Sequence, residues 1–284
     1  MNFAGEQMSE KSIKNKVILV TGASGGIGNA IVNKLVSDDS IVVAVYHQNL
    51  PPLQSYKNVF WIKTDITNSE ERGNLVTFCI EKYKRIDVLI NCAGFLEPGE
   101  FSSLEEIHLQ RMIDLNITSE LIITKKILSL MKIQGFGHII NIGSIGGIVP
   151  MPYSAVYSAT KFALRGFSFS MAEELKGTGI KISLISPGAV ATKMLDDEAF
   201  DYNTAISFVG KLVNPVDVAD VILKVIRKPK AEVIIPRGQA FGSKLITFSP
   251  VLFHHIYKIL HRIGLSGKKK YLNRYSDLTL TKEI

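Results

Sequence analysis

Residues 16–28 read KVILVTGASGGIG, an apolar run that leads directly into a glycine-rich turn and then into a helical pattern. An unbroken Val/Ile/Leu run, without alternating polar residues, indicates a strand covered on both faces of a sheet. Glycines let the chain turn sharply and approach a phosphate, which is stabilised at the N-terminus of the following helix. The spacing is GxxxGxG rather than GxGxxG. A turn that binds nothing is the alternative, but the flanking strand and helix favour a dinucleotide-binding loop.

The same alternation of strand and helix continues along the chain and sets the fold class. Six further β-branched runs follow the first one, at Ile41–Tyr46, Val59–Thr64, Asp87–Asn91, His138–Ile142, Ile180–Ser186 and Glu232–Ile235. Helical patterns separate them, most clearly over 107–131 and 157–176. This order predicts an α/β fold, a Rossmann-type doubly wound parallel sheet of about seven strands with helices on both faces. Ligands of such sheets bind beyond the carboxyl ends of the strands.

The composition is that of a globular protein with a full core. The chain has 284 residues, of which 46% are hydrophobic and 21% charged, which excludes a disordered, collagen-like or disulfide-built protein. Two cysteines, Cys79 and Cys92, form neither a disulfide framework nor a metal-ligand spacing, so no metal site is expected. The N-terminus lacks the apolar segment of a signal peptide, and no stretch is apolar enough to span a bilayer. A reducing, cytoplasmic setting is expected.

The net charge of +7 is concentrated at the C-terminal end. From Arg227 onward there are twelve Lys/Arg and three Asp/Glu, a balance of +9, whereas residues 1–226 carry −2. We therefore expect a polar lead over 1–12, one dinucleotide-binding catalytic domain over 13–236 and a basic extension over 237–284. Apolar residues at helical spacing predict an amphipathic helix over 251–263, with Pro250 at its start and Gly264 at its stop.

Three roles for this helix stay open: contact with an acidic membrane surface, a cover for a substrate cleft, or an oligomer contact. Contact with a membrane would place the protein at the membrane periphery. A nucleic-acid partner is not expected, because no recognition motif accompanies the charge.

Ser144, Tyr157 and Lys161 form the sharpest candidate for chemistry. Tyr157 and Lys161 lie four residues apart, so a helix puts the phenol and the ammonium on one face. A neighbouring cation favours the phenolate form of a tyrosine, which makes it a usable acid/base. Ser144 follows the fifth strand and can donate to a substrate oxygen beside the phenol. A YxxxK pair is common by chance and indicates little alone. Together with Ser144 and the glycine loop it indicates a catalytic site.

Two other strand ends carry weaker candidates. Asp65 closes the third strand and can accept from the amino group of an adenine, although an Asp there can also cap the helix that begins near Asn68. The sequence NCAG at Asn91–Gly94 ends the fourth strand with small residues that suit a ribose or nicotinamide; an ordinary turn is the alternative. Cys92 is expected to be a buried small residue rather than a nucleophile.

Taken in order, these motifs resemble the short-chain dehydrogenase/reductase family. TGASGGIG matches the TGxxxGxG loop of that family, NCAG matches its NNAG motif with one cysteine departure, and INIGS matches its catalytic-serine strand. The step from Ser144 to Tyr157 fits, as do Asn116 in the helix after the fourth strand and Pro187-Gly188 after the sixth. The resemblance covers about residues 12–236.

The resemblance implies an NAD(P)-dependent oxidoreductase that interconverts an alcohol and a carbonyl. Tyr157 would be the acid/base, Ser144 would hold the substrate oxygen, Lys161 would bind the nicotinamide ribose and favour the phenolate, and Asn116 would hold a water in a proton relay. The other residues that would meet the cofactor are Gly22, Ser24, Gly25, Gly26, Ile27, Gly28, Asp65, Asn91, Ala93, Gly94, Val190 and Thr192. A homo-oligomer is implied as well. A dinucleotide-binding sensor or scaffold without turnover is the alternative.

Cofactor and substrate are less constrained. The second strand ends in Tyr46-His47-Gln48-Asn49, with neither the acid that would hold the ribose hydroxyls of NAD nor an arginine for NADP. Because no carboxylate repels a phosphate there, and Ser24 and His47 can donate to one, NADP(H) is favoured over NAD(H). Residues 189–214 match the substrate loop of the family. Five of its side chains would give either an apolar wall for a lipophilic substrate or plain helix packing: Met194, Leu195, Phe200, Tyr202 and Phe208.

Overall fold

The computed structural model describes residues 13–49, 56–238, 242 and 250–280. Its centre is one seven-stranded parallel sheet with the order β3-β2-β1-β4-β5-β6-β7. The strands are β1 Val17–Val20, β2 Ile41–Tyr46, β3 Val59–Lys63, β4 Val88–Asn91, β5 Gly137–Ile142, β6 Ile180–Pro187 and β7 Glu232–Ile235. The predicted doubly wound fold and its seven strands are confirmed.

Helices cover both faces of the sheet. They are α1 Gly26–Val36, α2 Ser69–Tyr83, α3 Glu106–Ile113, α4 Ser119–Gln134, α5 Ala155–Glu174, α6 Lys193–Ala199, α7 Pro215–Arg227 and α8 Pro250–Leu280. Short 3-10 turns lie at Phe101–Ser103, Ile145–Gly147 and Tyr202–Phe208.

Each strand sends alternate side chains to two separate cores. In β1, Ile18 and Val20 belong to the core under α1 and α7, whereas Val17 and Leu19 belong to the core under α2, α4 and α5. Both sets are at most 3% exposed. Burial on both faces explains why the strands read as continuous apolar runs.

The helix predicted over 107–131 is interrupted. A π turn over Asp114–Thr118 separates α3 from α4 and carries Asn116, which is fully buried. Ser119 hydroxyl donates to the main-chain oxygen of Asp114 across this turn. Such local π turns frequently occur at functional sites.

The predicted end of the C-terminal helix at Gly264 is wrong. The helix α8 begins at Pro250, as expected, but continues through Gly264 and Gly267 to Leu280. A Cβ atom on Gly264 would lie 2.0 Å from the oxygen of Ala205, and one on Gly267 would lie 2.3 Å from the oxygen of Phe208. These glycines therefore permit close packing of α8 on the 202–208 turn and do not terminate the helix. In the described residues, no helix has the length and apolarity needed to cross a membrane.

Candidate active site

Two adjoining cavities open at the carboxyl ends of the strands. The first, of about 340 Å³, is lined by the glycine loop and by the ends of β2 and β3. The second, of about 300 Å³, is lined by Ser144 and Tyr157. Ile27, Thr192 and Met194 line both cavities. A molecule in the first can therefore reach one in the second, which is the arrangement that a cofactor and its substrate require.

The glycine loop forms a tight, open cradle at the first cavity. Gly22 has a φ of +62°, and a Cβ there would lie 2.6 Å from Cα of Ala93. Gly25 is the N-cap of α1 and supplies no side-chain cap to the first turn of the helix. The amide groups of that turn are thus oriented toward the cavity, where a phosphate can accept from them. Five predicted loop residues line this cavity with Gly22: Ser24, Gly25, Gly26, Ile27 and Gly28.

His47 and Asp65 face each other at the far end of the first cavity. His47 Nε2 lies 3.7 Å from Asp65 Oδ2. Asp65 Oδ1 accepts hydrogen bonds from the main-chain amide of Thr67 at 2.9 Å and from its hydroxyl at 2.7 Å. Partial burial alone would raise the pKa of Asp65, but these hydrogen bonds and the charge of His47 hold it below its ordinary value. Asn68, rather than Asp65, caps α2. Asp65 is therefore an ionised acceptor in the cavity wall.

The NCAG segment divides between core and cavity. Ala93 and Gly94 line the first cavity, as expected. Asn91 is fully buried, and its amide donates to Thr124 Oγ1 at 2.8 Å and to Asn141 Oδ1 at 2.9 Å. Both N–H groups of the Asn91 side chain are therefore used inside the core, and contact of Asn91 with the cofactor stays a prediction. Asn91 anchors the strand end that presents Ala93 and Gly94.

Ser144 and Tyr157 flank one glycine beside the second cavity. A Cβ on Gly146 would lie 3.4 Å from Ser144 Oγ and 3.6 Å from Tyr157 Cε1. Ser144 Oγ accepts from the Gly146 amide at 3.0 Å, so its own proton can be donated to an oxygen in the cavity. Ser158 Oγ donates to the oxygen of Gly146 and ties α5 to this turn. The serine hydroxyl and the tyrosine ring thus both lie next to Gly146 at the wall of the second cavity.

Lys161 and Asn116 meet behind the phenol. Lys161 Nζ lies 5.8 Å from the centre of the Tyr157 ring, and the residue is only 4% exposed. A Cβ on Gly94 would lie 3.6 Å from Asn116 Oδ1 and 3.9 Å from Lys161 Nζ. The Asn116 amide donates to the oxygen of Phe95 at 2.8 Å and to Thr160 Oγ1 at 3.3 Å. The structure therefore brings the four predicted catalytic residues to the same strand ends.

The substrate loop contributes to the second cavity differently from the expectation. Met194 and Leu195 line it, together with Val190 and Thr192. Phe208 packs instead on Tyr271 of α8, with ring centres 5.4 Å apart, and Phe200 is 72% exposed. The Tyr202 side chain lies outside what the structure describes. The apolar wall is completed by residues that were not predicted, at Leu96, Val149, Met151, Ile206, Val209 and Leu260.

The structure buries three ionisable side chains near these cavities that the sequence analysis does not single out. Glu198 of α6 lines the second cavity, and Lys268 of α8 donates to Thr204 Oγ1 at 2.9 Å and to the oxygen of Asp201. Glu120 of α4 is completely buried; burial raises its pKa to about 8, although the charge of Lys161 opposes this. No local motif marks any of them, because each is buried by a long-range contact.

The described residues contain neither a reactive cysteine thiolate nor a cluster of metal ligands. Burial raises the pKa values of Cys79 and Cys92 to about 12, which removes both as thiolate nucleophiles. No group of three or more His, Cys, Asp or Glu side chains within the described ranges is arranged to hold a metal ion.

Comparison with known proteins gives consistent matches over most of the chain. The sequence model of the short chain dehydrogenase family matches residues 16–203. An uncharacterized oxidoreductase of Staphylococcus saprophyticus is 35% identical over 65% of this chain and 78% of its own length. One of Staphylococcus aureus is 33% identical over 77% of this chain and 94% of its own length.

Solved structures agree with the sequence matches. A short-chain dehydrogenase from Streptomyces avermitilis superposes with a TM-score of 0.74 at 26% identity, covering 87% of this chain and 97% of that one. The same fold occurs in a short chain dehydrogenase from Leptospira borgpetersenii solved with bound NAD+. Its TM-score is 0.70 at 23% identity, over 80% of this chain and 93% of that one.

Proposed function

The chain belongs to the short-chain dehydrogenase family, and from this premise we propose that it interconverts an alcohol and a carbonyl compound with a nicotinamide dinucleotide as hydride carrier. One observation carries the proposal. Ser144 and Tyr157 line a cavity that shares Ile27, Thr192 and Met194 with the cavity of the glycine loop. A substrate oxygen held by the serine and the phenol would therefore sit next to the cofactor.

The residues of the first cavity fit a dinucleotide. The uncapped first turn of α1 offers amide groups to the phosphates, and Asp65 offers an ionised acceptor to the adenine amino group. Ala93 and Gly94 leave the surface flat for a ribose, and Val190 and Thr192 would meet the carboxamide. When bound, the cofactor supplies or accepts the hydride; the chain supplies position and proton transfer.

We assign the proton chemistry to residues that follow β5 and to residues in the first two turns of α5. In carbonyl reduction, the Tyr157 phenol gives its proton to the substrate oxygen while Ser144 donates a hydrogen bond to the same oxygen. The Lys161 ammonium stabilises the resulting phenolate and would contact the nicotinamide ribose. Asn116 would hold a water of the relay. Its side-chain N–H groups donate to the Phe95 oxygen and to Thr160 Oγ1, and its Oδ1 accepts from the Phe95 amide, so the second lone pair of Oδ1 is the side-chain position left for that water.

The lining of the first cavity supports NADP(H) over NAD(H). His47, Arg111 and Lys193 line it, with Asp65 as the only acid among its described lining residues. A net positive lining suits the additional phosphate of NADP(H). The apolar wall of the second cavity supports a lipophilic carbonyl or alcohol of medium size.

The function is tested by following absorbance at the reduced-nicotinamide band. Purified protein is mixed with NADPH or NADH and a panel of apolar ketones and aldehydes, and the reverse reaction is run with the matching alcohols. Oxidation of NADPH with at least one carbonyl is expected. Tight cofactor binding without turnover across the panel would instead identify the sensor or scaffold without catalysis.

The exposed face of α8 supports contact with an anionic membrane. Residues 250–273 contain five Lys/Arg and no Asp or Glu. Ile259 and Ile263 remain 59% and 51% exposed, and Lys258, Arg262, Lys269 and Lys270 are exposed beside them. Apolar side chains flanked by cations suit the surface of acidic lipids.

Partition is compared between vesicles of phosphatidylcholine alone and vesicles that also contain phosphatidylserine. Binding to the anionic vesicles that falls with salt is expected, and equal partition to both would rule this contact out. Such binding would place the protein in the cytoplasm and, when bound, at the surface of the membrane. The family resemblance is the ground for a homo-oligomer, which light scattering of the purified protein tests.

A further inference from the structure

The cavity beside Ser144 and Tyr157 contains a carboxyl group that the proposed reaction does not use. Glu198 of α6 lines this cavity and is 7% exposed. It is the only charged side chain among the described residues of the cavity wall. The rest of the wall is mainly apolar. A lone acid in such a wall is costly to bury, so its presence needs a physical reason.

The described neighbours of Glu198 satisfy only part of its hydrogen-bonding capacity. The Ser207 hydroxyl donates to Glu198 Oε1. Lys268 is close enough to influence the carboxyl, but its ammonium donates to the Asp201 oxygen and to Thr204 Oγ1. Within the described residues, no ion pair of 4.0 Å or less joins Lys268 to Glu198. Among the described residues only Ser207 donates to this carboxyl, so Glu198 Oε2 is available to a partner in the cavity.

A purely structural role for the Glu198 side chain is not needed. The 202–208 turn is already attached to α6 through the main chain, because Thr204 Oγ1 donates to the main-chain oxygen of Glu198 at 2.6 Å. It is attached to α8 through Lys268 and through the Phe208–Tyr271 ring contact. A leucine at position 198 would keep the main-chain contact and avoid burying a charge.

We propose that Glu198 is a specificity-determining residue whose carboxylate accepts a hydrogen bond from a hydroxyl group of the substrate, separate from the reacting oxygen. The substrate class is then an apolar ketone, or the corresponding alcohol, that carries a second hydroxyl. The inference rests on the proposed function, because the reacting end is placed at Ser144 and Tyr157. A substrate whose second group is itself a carboxylate would be disfavoured by repulsion from Glu198.

The ionisation of Glu198 gives this recognition a pH dependence. Burial raises the pKa of Glu198 to about 7; the Ser207 hydrogen bond and the Lys268 charge lower it, and Asp201 raises it. Between pH 6 and 8 the carboxyl loses its proton and becomes the stronger, charge-assisted acceptor. The preference for a hydroxylated substrate should therefore increase as pH rises through about 7.

Paired substrates test the proposal directly. Medium-chain 2-alkanones are compared with their ω-hydroxy counterparts, using kcat/KM at a fixed NADPH concentration. The wild-type protein should prefer the hydroxylated ketone by roughly tenfold or more, as expected for a hydrogen bond to a charged group. Glu198→Gln should reduce this preference, and Glu198→Leu should abolish it. Each variant is assayed on both ketones, and the readout is the ratio of the two kcat/KM values, so that a general change in activity does not count as a change in preference.

The matched control is Asp197→Asn, which removes the exposed carboxyl of the neighbouring residue on α6. This variant should keep the full preference. Equal use of the two ketones by the wild type, or an unchanged preference in Glu198→Gln, would overturn the proposal. A parallel loss of kcat/KM on both ketones would also overturn it, because it would show that Glu198 only supports the fold of the loop.

Ligand binding separates failure of this inference from failure of the proposed function. If the wild type reduces none of the ketones, the proposed activity is wrong. Medium-chain α,ω-diols and 1-alkanols are then compared by the rise in Tm that each produces. A larger rise with diols in the wild type, absent in Glu198→Leu, would still establish the hydroxyl site. Equal rises with both alcohols would rule it out.

Discussion

Lys161 Nζ donates a hydrogen bond of 2.9 Å to the main-chain oxygen of Ile142. Ile142 is the last residue of β5, and Ser144 follows two residues later. One strand end therefore positions both the ammonium and the serine hydroxyl. Tyr157 lies one turn before Lys161 on α5, so the phenol and the ammonium share one face of that helix, with Lys161 Nζ 5.8 Å from the centre of the Tyr157 ring. This arrangement makes the role of the phenol open to a direct test.

Tyr157→Phe should remove turnover and little else. The substitution deletes the only proton that the proposal transfers to the substrate oxygen and keeps the ring. We expect kcat/KM for carbonyl reduction to fall by roughly a hundredfold or more, while the cofactor Kd changes by less than about threefold. Initial rates and cofactor fluorescence measure the two quantities. Tyr153→Phe, which alters a tyrosine that is 36% exposed, is the control. Wild-type turnover in Tyr157→Phe would exclude the phenol as the acid/base.

His47→Asp should change the choice of cofactor. His47 lines the first cavity at the end of β2, where a carboxylate would repel the additional phosphate of NADPH. We expect the ratio of kcat/KM for NADPH to that for NADH to fall by roughly tenfold or more. His47→Asn, which has no charge, should move the ratio less. Equal shifts in the two variants would mean that charge at this position does not select the cofactor.

The sequence predicts most of the fold because its strands are buried on both faces. Continuous apolar runs such as that of β1, each followed by a helical pattern, leave few alternatives to a doubly wound parallel sheet. Several predicted residues at the strand ends, Ser144 and Gly94 among them, accordingly line the same pair of cavities, whereas Asn91 lies in the core. Parallel strands bring their carboxyl ends to the same edge of the sheet, so residues that directly follow different strands in the sequence lie close together in the fold.

Contacts between distant elements could not be predicted in this way. Gly264 resembles a helix stop, yet it is the point where α8 approaches Ala205. Lys268 belongs to a run of three lysines that reads as a solvated face, yet it is 5% exposed. Glu198 has no motif around it. In each case the environment of the residue is set by an element far away in the sequence. The periodicity of a single sequence reports local structure and contains no information on such contacts.

Glu120 should make stability fall as pH rises. Its two carboxylate oxygens have no hydrogen-bond partner among the described residues, and burial raises its pKa to about 8 from an ordinary value of 4.5. At a pH between these two pKa values, the Glu120 carboxyl is ionised in the unfolded chain and protonated in the folded chain. Raising the pH therefore favours unfolding. Glu120→Gln removes this effect and should gain stability relative to wild type between pH 5 and 8, by on the order of 3 kcal/mol.

Urea unfolding at pH 5, 6, 7 and 8 measures the difference between Glu120→Gln and wild type. Glu174→Gln, which changes an exposed glutamate on α5, is the control and should leave the pH dependence unchanged. A constant difference between Glu120→Gln and wild type at every pH would contradict the raised pKa of the buried carboxyl.

Gly264→Ala should separate α8 from the substrate cavity. The added methyl group would lie 2.0 Å from the oxygen of Ala205, so the helix or the 202–208 turn has to move. We expect the free energy of unfolding to fall by roughly 1–3 kcal/mol, the usual cost of such overpacking. Activity on apolar ketones should fall as well, because Leu260 of α8 lines the cavity.

Gly166→Ala is the matched control for this packing. Gly166 also lies inside a helix, α5, but a Cβ there meets no atom within 4 Å. This variant should gain up to about 1 kcal/mol from the better helix propensity of alanine, with unchanged activity. Thermal unfolding and kcat/KM are measured on both variants. If Gly264→Ala were stabilising to the same extent, the glycine would not be a contact point, and the assignment of α8 as a wall of the substrate cavity would fail with it.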